Sequence, residues 1–421
     1  MSKQHIGILT ERMTLGYGVD LVIHEQAVRL IKMGYKVTVF PGWKTDLYDD
    51  QPYDVVALGE DEKPVHYYSL DFMHLAFEKM KARKIEVWII QTPPFYFWLT
   101  HLPAPVIMVE HGTPPGKYFG GREGRFLDTQ TRKRQRTLFR STRTGDGLVA
   151  ISEYIRSGLP KDVRKATRVI HNGADHYPVS KKDRALVFRR RFNLKASDIM
   201  ILWVGRLQPR RDPQPYKGLA DLLKLSPELK RENSKITIVA AGRGDESAAS
   251  ILETHGIKSW LNVPREDMPA LYAAADIFVS TSFWEGFNLP LVEAQFQGTP
   301  VVALDLCAHT EVVSDGFSGF LVKDLKDMKA RVLELATDKD KRSEMSCNAQ
   351  SFVSKFTWDQ NVAQLEVLIQ DCLSVTGNKK SNDISLKKSA GYYMDYAQYL
   401  IGRFGWRVFF KECFGWIKRR I

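Results

Sequence analysis

Short β-rich apolar runs alternate with longer helix-patterned stretches from the first residues to about residue 372, and this alternation constrains the fold more than any other feature. Runs near 5–9, 36–40, 54–58, 86–91, 105–110, 147–151 and 168–171 read as strands. Between the first two, Leu21, Val22, Ala27, Val28, Leu30 and Ile31 recur at helical spacing over 19–33. Alternation of this kind argues for a parallel α/β sheet. It breaks once: Asn172-Gly173 signals a turn, and a charged stretch follows from Lys181 to Arg191. A second series opens with Ile199-Met-Ile-Leu-Trp-Val204 and continues near 236–241, 276–280 and 300–304. The expected architecture is therefore α/β with two Rossmann-like domains facing across a cleft, at 1–175 and 176–356. A closing helix at 357–373 is marked by Val362, Leu365, Leu368 and Ile369. At 421 residues the chain is long enough for both domains. Substrates of such pairs sit at the carboxyl ends of the strands.

Charge bears on partners. The net charge of +12 is uneven. Residues 117–143 carry nine Lys/Arg against Glu123 and Asp128, and residues 379–421 carry ten against Asp383, Asp395 and Glu412. Each stretch is thus +7, and the remainder of the chain is close to neutral. Such patches suit an anionic lipid surface or a nucleic acid. No helix-turn-helix, zinc-finger or RNP-type pattern is present, which argues against nucleic acid. Residues 374–388 read as a polar linker, and the tail 389–421 is aromatic and basic. Arg403, Arg407 and Lys411 fall on one helical stripe there, with Trp406, Val408, Phe409, Phe410, Trp416 and Ile417 on the other side, the profile of an interfacial helix. Gly402, Gly405, Gly415 and Glu412 weaken that profile, and a tail packed on the protein is the plainer alternative. Cys307, Cys347, Cys372 and Cys413 form no metal-binding spacing and suit a reducing compartment. The opening residues enter a strand pattern at once and suggest no secretory signal. No apolar run approaches the roughly 18 residues of a membrane span.

The chemistry concentrates where the second series ends its strands. Trp284-Glu-Gly-Phe-Asn-Leu-Pro-Leu-Val-Glu293 follows the strand-like Phe278-Val-Ser-Thr-Ser282. Asn288 reads as a helix N-cap and Pro290 as a first-turn residue, so free N–H groups face the loop that holds Glu285. Glu293 lies about a turn into that helix. Taken by themselves, two glutamates at this spacing are as readily a solvated loop residue and a helix-dipole partner. Val204-Gly205-Arg206-Leu207 and, further on, Lys217-Gly218 place two cations beyond a strand end, a pairing suited to pyrophosphate. Leu15-Gly16-Tyr-Gly18-Val19 follows the first strand and lets backbone N–H groups approach a phosphate or sugar. His111 stands at another strand end, in Val109-Glu-His-Gly-Thr113, where a structural histidine is the commoner case. Gly242 and Arg243 end a further strand, and the loop holding Val263 precedes a short helix; these two loops are candidates to flank a base.

In order along the chain, Gly205-Arg-Leu, Lys217-Gly, Ala241-Gly-Arg-Gly244, Leu271-Tyr-Ala-Ala-Ala-Asp276, Glu285 to Glu293, Gly298-Thr-Pro-Val-Val302, Glu311-Val-Val-Ser-Asp-Gly316 and Gly319-Phe-Leu-Val322 resemble the retaining glycosyltransferase family 4 (glycosyl transferases group 1), of GT-B fold. Ala150-Ile-Ser-Glu153 and Ile170-His-Asn-Gly-Ala-Asp175 extend the resemblance, which covers roughly 3–372. The resemblance implies a nucleotide diphosphate sugar donor. It places Arg206 and Lys217 on the diphosphate, Glu293 on the ribose hydroxyls and Glu285 near the sugar. It puts the backbone of Gly286, Phe287, Asn288 and Leu289 around phosphate and sugar, and His111 and the Gly16/Gly18 loop on the donor from the first domain. Two departures stand out. The link between Arg206 and Lys217 is long and proline-rich, so Arg210 or Arg211 is available to share the phosphate role. After Asp305 the family's glycine pair is replaced by Leu306-Cys-Ala-His-Thr310.

The expected function is hexose transfer with retention to an acceptor hydroxyl, without a metal or other cofactor, in cell-envelope glycan or glycolipid synthesis. The expected acceptor is a sugar or a lipid-linked molecule, and the expected place is the cytoplasm, peripheral on the inner membrane face through residues 117–143 and 389–421. A nucleotide-sugar epimerase of the same fold and a non-enzymatic polyanion- or membrane-binding protein are the competing expectations.

Overall fold

A computed structural model describes residues 3–14, 18–45, 51–59, 70–92, 95–102, 105–141, 146–209, 212, 214–376, 397, 401 and 405–411. The chain forms two compact units. One holds residues 1–151, 155–170 and 362–421, and the other holds 152–154 and 171–361.

The first unit is a seven-stranded sheet, β3-β2-β1-β4-β5-β6-β7, with every pairing parallel. Its strands are β1 (His5–Met13), β2 (Lys36–Lys44), β3 (Asp54–Val55), β4 (Val87–Ile90), β5 (Val106–Glu110), β6 (Gly147–Ala150) and β7 (Thr167–Val169). The central β4 and β5 are buried along their whole length, which is why they read as unbroken apolar runs rather than alternating ones. Leu9, Phe40, Trp88, Ile90, Met108 and Leu148 from five strands pack with Phe77 and Trp98 into one core.

The second unit is a six-stranded parallel sheet, β10-β9-β8-β11-β12-β13. It comprises β8 (Ile199–Val204), β9 (Ile236–Gly242), β10 (Ile257–Leu261), β11 (Ile277–Ser280), β12 (Val301–Leu304) and β13 (Gly319–Val322). Ile201, Trp203, Ile238, Val279 and Val302 pack against Leu222, Leu229, Met328 and Leu335 from the covering helices. Both outer strands, β10 and β13, escape the sequence reading. β10 is Ile-Lys-Ser-Trp-Leu with only Ile257 and Trp260 buried, so it lacks the apolar run of its neighbours. The charged stretch after Lys181 folds as the helix Lys182–Arg191, and the closing helix runs Trp358–Thr376.

Candidate active site

In the second sheet the strand order reverses between β8 and β11, so the loops leaving their carboxyl ends flank a crevice. Three stitches set these loops. Trp203 Nε1 donates to Thr281 Oγ1 at 3.0 Å, and that hydroxyl donates to the Gly218 carbonyl at 2.8 Å. Gly218 has φ of 72°, and a Cβ there would lie 2.0 Å from the Thr281 carbonyl oxygen, so only glycine fits. Across β8 and β9, Gly205 N donates to the Ala241 carbonyl at 3.0 Å, and a Cβ on Gly242 would fall 1.8 Å from the Gly205 carbonyl.

These stitches deliver Lys217, in the 3-10 turn Pro215–Lys217, to Glu285. Its Nζ lies 2.7 and 2.9 Å from the two carboxylate oxygens, and Glu285 is only 5% exposed. The next helix starts at Leu219, directly after Gly218, so Lys217 stands ahead of it. Half-buried Arg206 lies near enough for its charge to act on Asp212 and on Tyr216. Burial first, and the Glu285 charge second, raise the Tyr216 phenol far above its ordinary range, so it stays a neutral wall.

The helix after β11 runs Leu289–Phe296 with proline in its first turn. Asn288 precedes it as expected, but its side chain does not cap it. Its backbone is left-handed, with φ of 66°, and that turns the amide back to the sheet, where Nδ2 donates to Ser280 Oγ at 3.1 Å and His309 Nε2 at 2.9 Å. His309 is fully buried and its Nδ1 meets the Leu304 carbonyl at 2.8 Å, so the proton sits on Nδ1 and Nε2 accepts. Burial lowers the pKa of this ring. Asn288 and His309 thus fix the loop in front of the helix, where Leu291 N bonds the Asn288 carbonyl at 3.1 Å and Pro290 has no N–H. Gly286 and Phe287 are buried; the Phe287 ring packs edge-on against Phe356, leaving its backbone for the site. Glu293, one turn in, is 7% exposed and accepts from the Tyr272 hydroxyl at 2.6 Å. Exposed Arg243 and half-buried Val263 follow β9 and β10, on the other side of the switch point from Glu285. Arg210 and Arg211 lie outside the described residues.

In the first sheet the order reverses between β1 and β4. Gly16 lies outside the described residues; Gly18 opens the helix Gly18–Lys32 and is exposed. Asp20 Oδ2 accepts from Thr14 N and Thr14 Oγ1 at 2.8 and 3.0 Å, and burial pushes its carboxyl up to about 6. Beyond β4, Gln91 Nε2 donates to Gln26 Oε1 at 2.7 Å, and its Oε1 accepts from His111 Nε2 at 2.8 Å. Burial lowers His111 to about 4, so it is a neutral ring whose Nδ1 remains an acceptor.

Residues 187–352 match the family Glycosyl transferases group 1, and residues 17–177 match Glycosyltransferase Family 4. The chain belongs to glycosyltransferase family 4. It is 28% identical over 247 residues to an O-antigen chain mannosyltransferase B of Escherichia coli, covering 56% of this chain and 63% of that protein. It is 32% identical over 208 residues to a D-inositol 3-phosphate glycosyltransferase of Salinispora arenicola, covering 46% of each. These matches span between about half and two thirds of the relatives' length. Its fold is that of HepE from Anabaena, solved in complex with UDP and glucose, with a TM-score of 0.67 at 17% identity over 87% of this chain and 100% of that one. It is also that of WaaG, a glycosyltransferase involved in lipopolysaccharide biosynthesis, with a TM-score of 0.67 at 14% identity over 86% of this chain and 99% of that one. The fold is GT-B. Within this family 4 chain, Arg206, Lys217, Glu285 and Glu293 all fall in the group 1 match, and His111 falls in the other. Tyr272 and His309 were invisible as site residues in the sequence, because each meets Glu293 or Asn288 only through tertiary packing.

Proposed function

We propose that this chain transfers a hexose from a nucleoside diphosphate sugar to an acceptor hydroxyl, with retention of anomeric configuration. The observation that carries the reading is the Lys217–Glu285 ion pair, held at the switch point of the second sheet beside the start of the helix Leu289–Phe296, with Arg206 on the neighbouring loop. Arg206 and Lys217 suit a diphosphate. Glu285 suits the hydroxyls of the sugar, and it also holds the Lys217 ammonium in place before the donor arrives. Glu293 accepts hydroxyls of the ribose. As the bond from the sugar C1 to the phosphate oxygen breaks, charge grows on the leaving diphosphate, and cations already in place stabilise it with little reorganisation. Bond formation from the acceptor oxygen to C1 on the same face, with the acceptor proton passing to the departing phosphate oxygen, retains the configuration. In this reading the two cations do the work that a metal does elsewhere. His111, neutral and offering Nδ1, suits a donor hydroxyl rather than a phosphate.

We further propose a lipid-linked or sugar acceptor at an anionic membrane surface on the cytoplasmic side. Arg122, Arg125 and Arg132 are exposed on the helix Gly121–Ser141. Close to Arg122 lies Gly405, whose successors Trp406 and Phe410 stack on one another and are 60% and 51% exposed. Apart from residues 397, 401 and 405–411 the tail lies outside the described residues, and no described helix is long and apolar enough to cross a membrane. A thermal-shift screen with UDP-, GDP- and ADP-sugars tests the donor class. Stabilisation by one base series is expected, and no shift with any of them defeats the reading. Retention is read from the anomeric proton coupling of the product, and an inverted product rules it out. Co-sedimentation with phosphatidylglycerol vesicles, lost in high salt, is expected for the membrane surface; equal binding to neutral vesicles contradicts it.

A further inference from the structure

The chain enters the second unit at His171 and leaves it at Asn361. Inside that unit the two segments are tied together. Asn361 Nδ2 donates to the His171 carbonyl at 2.7 Å, Ala174 N to the Phe356 carbonyl at 3.0 Å, and Trp358 N to Asp175 Oδ1 at 2.7 Å. Gly173 permits the approach, since a Cβ there would lie 2.3 Å from Trp358 N. His176, whose side chain has no exposed surface, sits between this junction and Glu293. Trp358 Nε1 lies 3.2 Å from His176 Nδ1 and donates to it. An indole N–H can only donate, so Nδ1 carries the lone pair and the histidine proton is on Nε2. That Nε2–H lies 3.2 Å from Glu293 Oε1 yet is not aligned into a hydrogen bond, while Glu293 Oε2 already accepts from Tyr272. A buried donor is therefore poised against one oxygen of a carboxylate anchored by the other. A buried N–H left unbonded is unfavourable, and a small rotation of the carboxylate about its Tyr272 contact completes the bond.

We infer that His176 is a positioning residue for Glu293. With its tautomer dictated by Trp358, its N–H sets the plane in which the carboxylate meets the ribose hydroxyls of the donor. The inference rests on the reading that Glu293 takes the ribose, and it assigns the selection of ribose over deoxyribose to the chain junction rather than to the sugar loop. Neither His176 nor Trp358 needs to touch the donor.

The test is calorimetric binding of UDP, GDP and ADP, each against its 2′-deoxy counterpart, to the full chain. For the base that binds, a preference for the ribonucleotide of about tenfold is expected, the size of one hydrogen bond to a charged group. His176→Phe should bring this ratio close to one, and His176→Gln, which can place an N–H where Nε2 stands, should restore most of it. Trp358→Phe frees the tautomer and should lower the ratio in part, with a matching change in the 15N resonances of the His176 ring. If Glu293→Gln collapses the ratio while folded His176→Phe keeps it, the positioning role is overturned and the ribose reading stands. If Glu293→Gln keeps the wild-type ratio, the ribose reading fails and the inference falls with it.

Discussion

The two sheets share a strand order. β3-β2-β1-β4-β5-β6 in the first corresponds position by position to β10-β9-β8-β11-β12-β13 in the second, and each reverses at its centre. What stands at the carboxyl ends differs. Around the first switch point buried polar groups form hydrogen-bonded chains, Gln26, Gln91 and His111 in one and Thr14 with Asp20 in the other, beside the surface ion pair of Glu11 and Arg12. Burial drives both titratable members toward their uncharged forms. Around the second switch point the groups are ionic and paired, as in Lys217 with Glu285. Topology fixes where a ligand meets a sheet of this kind, and the side chains decide which chemical groups each sheet suits. Paired ions suit the diphosphate; neutral donors and acceptors suit hydroxyls.

Breaking the ion pair should have the largest effect. Lys217→Met or Glu285→Gln is expected to lower kcat by about 10²–10³, the usual size of one lost preorganised electrostatic contact. His111→Gln should cost clearly less. Steady-state assays with the donor series measure all three, and equal losses at His111 and Lys217 would erase the division of labour between the sheets.

Next in size is the glycine that delivers Lys217. Gly218→Ala forces a Cβ within 2.0 Å of the Thr281 carbonyl and leaves a left-handed residue. A loss of roughly 2–4 kcal/mol is expected, read from the urea midpoint, because backbone on both sides must move. A midpoint within experimental error of wild type would show that the β8 and β11 loops are not stitched there.

Much of this was legible in the sequence. Strongly apolar central strands such as β4, β5 and β8 identified themselves, and ordered glycines and glutamates marked the candidate site. Edge strands did not, because β10 spends three of its five residues on half-exposed positions. Asn288 fell at the right place with the wrong role, since nothing local announces a left-handed backbone that turns a capping side chain inward. The surroundings of Glu293 were unreadable for a different reason: His176 beside it takes its own partner, Trp358, from 182 residues away in the chain.

The buried titratable groups of the first unit predict a pH dependence of two opposite signs. Asp20 titrates near 3.8 unfolded and about 6 folded, so folding loses stability as pH rises from 3.8 through 6, by about 3 kcal/mol. His111 titrates near 6.5 unfolded and about 4 folded, so stability is lost as pH falls from 6.5 through 4, by no more than about 3 kcal/mol because the residue is partly exposed. Asp20→Asn should therefore stabilise the protein at pH 7.5 and be neutral or unfavourable at pH 3.5, since the amide oxygen still accepts from Thr14 and no charge is buried. Denaturation curves at both pH values check the sign. An Asn variant less stable at pH 7.5 would mean that Asp20 works as an ion, like the groups of the second unit.

The smallest effect is also the most local comparison. β5 and β12 hold equivalent places in the two sheets. In the loop after β5, Gly112 takes a left-handed turn with φ of 84°; after β12, Cys307 takes one with φ of 57°. A side chain in that conformation costs about 1 kcal/mol, and glycine's extra freedom in the unfolded chain costs a similar amount, so the two nearly cancel. The thiol adds only a 3.5 Å approach to the Phe283 carbonyl. Cys307→Gly should therefore leave stability within about 0.5 kcal/mol of wild type. Phe283 N is bonded to the Tyr216 carbonyl, next to Lys217, so the residue that the thiol touches is tied to the loop of the ion pair. Donor selectivity should then loosen by about two- to threefold between epimeric sugars, since a gap of one small side chain discriminates weakly. Unchanged selectivity with unchanged stability would make the cysteine incidental. A loss above about 1.5 kcal/mol would make it a packing wedge instead, comparable to removing a well-buried side chain.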